Sequence, residues 1–444
     1  MHRRIHLLGW LVLAGCGGGW STIDFAALPT AADVAPHPGV VVDDTLDIRF
    51  DLDQAKNAPF ATLTRRRTMR LFEPSARHHA TAWAWYAPDH QALLDLRVRV
   101  VDARGHDRTY DRDDAEDAPL RPSFVLFSDR RSATLKPPVV PDDAVVETRV
   151  VTRVDDLRLY GAWFTLGDTL PVRHAAVRVS MPVGWSIRWR TTRLGEPVER
   201  PPTERVEAGR RVLEWQRHDL PAIVREPHGP PAWQVAERVH VQLAEWADRD
   251  GPQRGFETPE QLSAHMHALH APRAEVTPPL KALAADILEG APPAPRERAR
   301  RLYDWVQRNI RYCAISVGLG GWVPHPAEQV KDVGYGDCKD KANLLGVLLA
   351  ADGIPSRQAA VYAHDGFPLP FGLPTVVGNS NHQILVVDLP EGPVVADPTT
   401  RVVPFGALPA ADQDAELLPF TADGAGLMRS PLAGPEANTA DDVV

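Results

Sequence analysis

The stretch "GYGDCKDKANLLGVLLAADGIPSRQAAVY", residues 334–362, decides how the second half of this chain is read. It places Cys338 at the entrance of a long apolar helix, directly after Gly334, Gly336 and Asp337, whereas a structural thiol would sit inside such a pattern. Ala342, Leu345, Leu348 and Leu349 form the inward stripe, and the helix is predicted to end before Gly353. Strands follow at "RQAAVYA", "HQILVVDL" and "VVADPT".

Upstream, "TPPLKALAADILEG" offers Thr277 as N-cap, Pro278 at the first helical position, a stripe of Leu280, Leu283, Ile287 and Leu288, and Gly290 as stop. "RERARRLYDWVQRNIRY" puts Ala299, Leu302, Val306 and Ile310 on one face. Helices first and strands afterwards make an α+β domain over 275–410. Before it, residues 42–246 alternate with period two. Leu94, Leu96, Val98 and Val100 do so in "LDLRVRV", Val146, Thr148, Val150 and Thr152 in "VETRVVTRV", and the segments "VRVSMPVGWSIRW" and "VHVQLAEW" follow suit. Such strands between Gly, Pro and Asp turns predict an antiparallel β-sandwich-like domain. A Pro-, Gly- and charge-rich linker is expected at 247–274, and a polar tail at 411–444.

The 444 residues suffice for two or three domains, and 44% hydrophobic with 24% charged residues is ordinary globular composition. The net charge of −9 is spread along the chain, and runs such as "TRRRTMR" read as solvated faces, so no nucleic-acid partner is expected. The N-terminus has the layout of an export signal over 1–15, with Arg3 and Arg4 before an apolar run too short to span a bilayer. "LAGC" resembles the lipobox of bacterial lipoproteins, which implies lipid on Cys16, a tether over 16–41, and a membrane-anchored protein facing the periplasm or cell exterior. A plain secretory signal cut a few residues later is the rival.

Cys338 opens a helix, His382 begins the strand "HQILVVDL", and Asp397 ends "VVA" before Pro398. Two adjacent antiparallel strands would hold His382 beside Asp397, and the helix end would bring Cys338 to His382. The chemistry wants those three types. A thiolate is favoured by a helix N-terminus and a neighbouring imidazolium, a histidine shuttles the proton, and a carboxylate fixes its tautomer. The Cys338 backbone N–H is a natural oxyanion donor. Trp322 and Tyr335 are candidates for the site wall or an oxyanion contact, with packing as the rival reading. Asp337, Lys339 and Asp340 are expected to order the helix start. A Cys313–Cys338 disulfide is the alternative for both thiols, and Cys313 otherwise reads as core. The histidines of "HMHALH" (265–270) read as a solvated helix, and neither a metal nor a cofactor is expected.

"YGDCKDKANLL", "NHQILVV" and "ADPT" resemble, in order, the Cys, His and Asp motifs of the transglutaminase-like superfamily. "YDWVQRNIRY" and "GLGGWVPHPAEQVKDVGYGDC" resemble the lead-in of a bacterial branch whose core follows a β-rich domain of unknown function. "FVLFSDRRSATLKPPVVPDDAVVE" (124–147) resembles that domain. The resemblance covers most of 42–405 and implies a papain-like core, with Cys338, His382 and Asp397 as nucleophile, base and orienting acid. It also implies a thiol enzyme acting on amide bonds of a protein or peptide through an acyl-enzyme, as protease, amidase or transamidase. Arylamine acetyltransferases use the same residue types, but the residues around Cys338 do not resemble theirs. A non-catalytic cell-envelope binding or scaffold protein is the alternative. Members of the family often carry a third β domain, and the role of the first domain is left open.

Overall fold

The computed structural model describes residues 20, 22–120, 125–155, 157, 162–316, 321–364 and 380–434. The export-signal segment and Cys16 lie outside the described residues.

The first domain is strand-rich. Its largest sheet has eight strands, with Gly39–Asp53 between Ala58–Leu71 and Val172–Pro182. A five-stranded sheet built on Glu237–Asp248 and a three-stranded sheet, Ala82–Tyr86, Arg131–Leu135 and Glu116–Pro119, complete it. Leu46, Ile48 and Phe50 from one sheet and Val239, Val241 and Leu243 from the other meet in one core. Alternating inward residues make that core, as the period-two pattern requires. The pairing is not wholly antiparallel, since Gly39–Asp53 runs parallel to Val172–Pro182. The alternation also slips once. A bulge between Leu93 and Asp95 turns Leu93 inward, at 4% exposure, and Leu94 outward, at 55%.

In the second domain the helix Cys338–Ala351 is central. It packs against the helices Pro278–Ile287, Pro295–Asn309 and Ala327–Val333 and against the strands Ser356–Val361 and His382–Leu389. Residues 339–345 and 347–349 are buried, so the helix is enclosed all round and not only along its predicted stripe. The stripes of the two earlier helices hold, with Leu280, Leu288, Ala299, Leu302, Val306 and Ile310 all buried in the same core.

Three boundaries differ from the sequence expectation, the first being the tether over 16–41, which holds the helix Ala31–Val34 and the start of the strand Gly39–Asp53 with Val40 and Val41 fully buried. The linker 247–274 contains a strand, Gly251–Arg254, and the helix Pro259–His270, which buries Leu262 and Met266 against Ala360, Leu418 and Phe420. The segment read as a tail supplies two strands, Glu416–Pro419 and Met428–Arg429, to a sheet ordered Gly392–Ala396, His382–Leu389, Ser356–Val361, Glu416–Pro419, Met428–Arg429. Ser263 fastens helix to strand, its Oγ donating to the Pro419 carbonyl at 2.6 Å. "ELLPF" is too short to show a period, which is why its polar surroundings hid it.

The two domains share backbone pairing. Val125–Ser128 runs parallel to Ala314–Ser316, the segment that follows Cys313. Among the described residues no helix is long and apolar enough to cross a membrane.

Leu418 is fully buried between the Pro259–His270 helix and the sheet. Leu418→Ala is expected to lower unfolding free energy by about 2–5 kcal/mol in urea titration. A loss within a few tenths of a kcal/mol would mean that the C-terminal strands do not belong to the cooperative unit.

Candidate active site

Backbone geometry delivers Cys338. Gly334 ends the helix Ala327–Val333 in the left-handed region, φ 70°, and turns the chain into the two-residue strand Tyr335–Gly336. Gly336 has no room for a side chain, because a Cβ there would sit 2.6 Å from the Asp340 Cβ. Asp337 is the N-cap. Its Oδ1 accepts from the Asp340 N–H, and its own N–H donates to Asp340 Oδ2 at 3.1 Å, a reciprocal capping box. Lys339 pairs with Asp337 in a buried salt bridge, and Asp340 also accepts from the His325 N–H at 2.8 Å. These three charged residues order the helix start. Cys338 is thereby the first helical residue, half-buried, at the end where the peptide dipoles point their positive pole.

The other two candidates come from adjacent antiparallel strands. His382 heads His382–Leu389, and Asp397 follows Gly392–Ala396, with Leu385 opposite Ala396. His382 Nε2 lies 3.3 Å from Asp397 Oδ2. The ring also interacts with Cys338, and with Nε2 turned to Asp397 the nitrogen left for the sulfur is Nδ1. Thr399 completes the carboxylate's shell, donating its N–H at 2.9 Å and its hydroxyl at 2.7 Å to Asp397 Oδ1. The loop beyond is held by the Tyr303 hydroxyl, which donates to the carbonyls of Asp397 and Val403.

Burial by itself would push the His382 pKa down. Hydrogen bonds to Asp397 and Cys338, with their negative charge, outweigh it and hold the imidazolium pKa well above its ordinary value. Burial would raise the Asp397 pKa, but the bonds from His382 and Thr399 keep it below the usual carboxylate value.

Both Cys313 and Cys338 are free thiols. Cys313 is half-buried and not a core residue. Trp322 packs its ring in the cluster of Leu262, Met266, Leu418 and Phe420, and its carbonyl lies 3.0 Å from His270 Nε2. His270 itself is buried, contrary to the solvated reading, and burial drives its pKa down to about 4. Tyr335 is half-buried opposite Arg311.

Two residues escaped the sequence reading. Tyr312 lies opposite Gly336 in the parallel pair Arg311–Tyr312 with Tyr335–Gly336, and its hydroxyl interacts with Cys338. Burial, then the negative groups around it, push that hydroxyl's pKa up. Only the pairing, invisible in sequence, singles it out from Tyr335. Asp412, inside the supposed tail, sits with its carboxyl 4.0 Å from His382 Nε2. His382, Asp397 and Asp412 are the one group of described residues whose possible ligand atoms lie within 4.8 Å of one another. Within this group Asp397 is already engaged by Thr399 and His382, while Asp412 stands beside the pair without a hydrogen bond of its own.

The family model described as transglutaminase-like superfamily matches residues 281–393. A second, for a domain of unknown function with solved structure, matches 60–224. Among solved structures, a candidate protease from Parabacteroides distasonis superposes with a TM-score of 0.65 at 15% identity, covering 89% of this chain and 72% of its own, which shows a shared fold. A candidate cysteine protease from Cytophaga hutchinsonii gives a TM-score of 0.25 at 11% identity, covering 84% of this chain and 86% of its own, and adds nothing to the fold comparison. No curated protein is significantly similar to the chain.

The His382 ring is expected to remain protonated at neutral pH, read from its imidazole NMR shifts; titration near the ordinary value of about 6.5 would contradict the geometry. The sign for stability follows. A raised folded-state pKa contributes fully below the unfolded value and drains away as pH climbs through the folded one. The stability gap between wild type and His382→Ala should therefore narrow as pH rises above neutrality.

Proposed function

We propose that the chain, whose residues 281–393 match the transglutaminase-like superfamily model, is a thiol enzyme acting on amide bonds through an acyl-enzyme at Cys338. The observation that carries the reading is the linked set of Cys338 at a helix start, His382 bonded to it, and Asp397 behind His382. In this reading the Cys338 proton already rests on His382, and the thiolate attacks the amide carbonyl. The S–C bond forms, and charge gathers on the carbonyl oxygen near the Cys338 N–H at the helix start. The C–N bond then breaks as the His382 imidazolium gives its proton to the leaving amine. Water or an amine then attacks the thioester, giving its proton to the now neutral His382, and the S–C bond breaks to release the acid or the new amide and restore the thiolate–imidazolium pair. Asp397 keeps Nε2–H directed at itself throughout.

The substrate we propose is a protein or peptide, met outside the cytoplasm by an enzyme anchored through lipid on Cys16. The support for anchoring is the arginine-bearing start, apolar run and small-small-Cys sequence. Fatty-acid labelling of the expressed chain that survives Cys16→Ala would refute it.

Cys313 serves as an internal control for the chemistry, being a second free and half-buried thiol in the same domain. At neutral pH, iodoacetamide should modify Cys338 faster than Cys313, and His382→Ala should slow Cys338 roughly tenfold or more while sparing Cys313. Equal rates, or indifference of Cys338 to His382, would remove the enzyme reading in favour of a binding module.

A further inference from the structure

Asp412 is held where it is by its backbone. It closes the short 3-10 turn Ala410–Asp412, its N–H bonds the Pro409 carbonyl at 3.0 Å, and its carbonyl accepts from the Ser430 hydroxyl at 2.6 Å. The carboxyl this turn presents is 2% exposed, and among the described residues neither of its oxygens has a hydrogen-bond donor. What faces it is His382 from one strand and Asp397 from the end of the next. Lys341, Tyr303 and Tyr312 act on the Asp397 side of the cluster. On the other side His364 lies 3.0 Å from the neighbouring Gln413 carbonyl and acts on Asp414.

A buried acceptor with no donor is costly. Two carboxylates against a single imidazolium cannot both keep their charge cheaply. The least expensive arrangement is one proton between the two carboxyls, as when like charges share a buried site. Burial, tempered by His382 and reinforced by Asp397, accordingly raises the Asp412 pKa to about 6.

We propose that Asp412 is a positioning residue of the catalytic apparatus: its carboxyl shares one proton with Asp397 in acid and, once that proton leaves to solvent, adds a second negative charge beside the His382 imidazolium. The consequence runs in one direction. As pH rises, the added charge makes His382 harder to deprotonate, so the leaving-group proton stays in place to higher pH. At low pH the shared proton withdraws charge from Asp397 and loosens its hold on Nε2–H. This proposal rests on the thiol-enzyme reading.

The test is a titration of the His382 ring shifts in the full chain, wild type against Asp412→Asn, with the Cys338 alkylation profile measured alongside. Wild type should move in two steps, the first near pH 6. The first step should persist in Cys338→Ala, which removes the thiol's own titration, and in His364→Gln. In Asp412→Asn the first step should vanish, and loss of the ring proton should move down by about one pH unit, a tenfold change in proton affinity. The basic limb of the alkylation profile should move the same way. A wild-type ring without the step near pH 6 overturns the proposal even if the Asn variant fails to fold, and so does an Asp412→Asn curve that overlays wild type. If His382→Ala leaves Cys338 alkylation unchanged, the thiol-enzyme reading falls. If that coupling is intact while Asp412→Asn changes nothing, only the role of Asp412 falls.

Discussion

Because the helix Cys338–Ala351 runs through the middle of the second domain, its first N–H groups cannot be left to water, and Asp337 supplies the acceptor that water would have been. The capping box that results fixes where the helix begins to within one residue, and Cys338 is that residue. Gly336 follows from the same constraint, since the reciprocal bond between Asp337 and Asp340 brings the Asp340 Cβ against the preceding backbone and leaves no space there. Lys339 neutralises Asp337 inside the protein, so a cluster of charged residues can be buried at a helix start.

The opposite wall of the site is held with similar stringency from elsewhere. Thr399 and Tyr303 fix the carboxylate and the backbone of Asp397, and the strand pairing fixes His382 relative to it. The sulfur, ring and carboxylate thus reside on three elements whose positions are each determined by buried hydrogen bonds. Little freedom is left in the relay except the location of its protons, which is where the electrostatics of the cluster has its effect.

The local parts of this arrangement were legible in the sequence. Gly-x-Gly-Asp-Cys before an apolar run announces a capped helix start, and the stripes of Leu280 to Leu288 and Ala299 to Ile310 announce two more helices. What depends on distant pairing was not legible. Leu94 obeys the alternation of its neighbours and still points outward, because a bulge is a property of two strands. Tyr312 and Tyr335 look equivalent until their strands are paired. Asp412 has no neighbouring motif, and its significance comes from a turn pinned by Ser430. His270 reads as a surface histidine because the Gln358 and Trp322 groups that receive it lie far along the chain.

The parallel pairing of Val125–Ser128 with Ala314–Ser316 joins the early half of the chain to the segment carrying Tyr312 and Cys313. During synthesis the first domain leaves the ribosome long before its partner strand exists, and domains generally fold as units in that order. The Val125–Ser128 ladder can therefore form only after the later segment has been made. Once formed, that ladder ties the strand-rich domain to the chain segment that pairs, through Tyr312, with the backbone just ahead of Cys338.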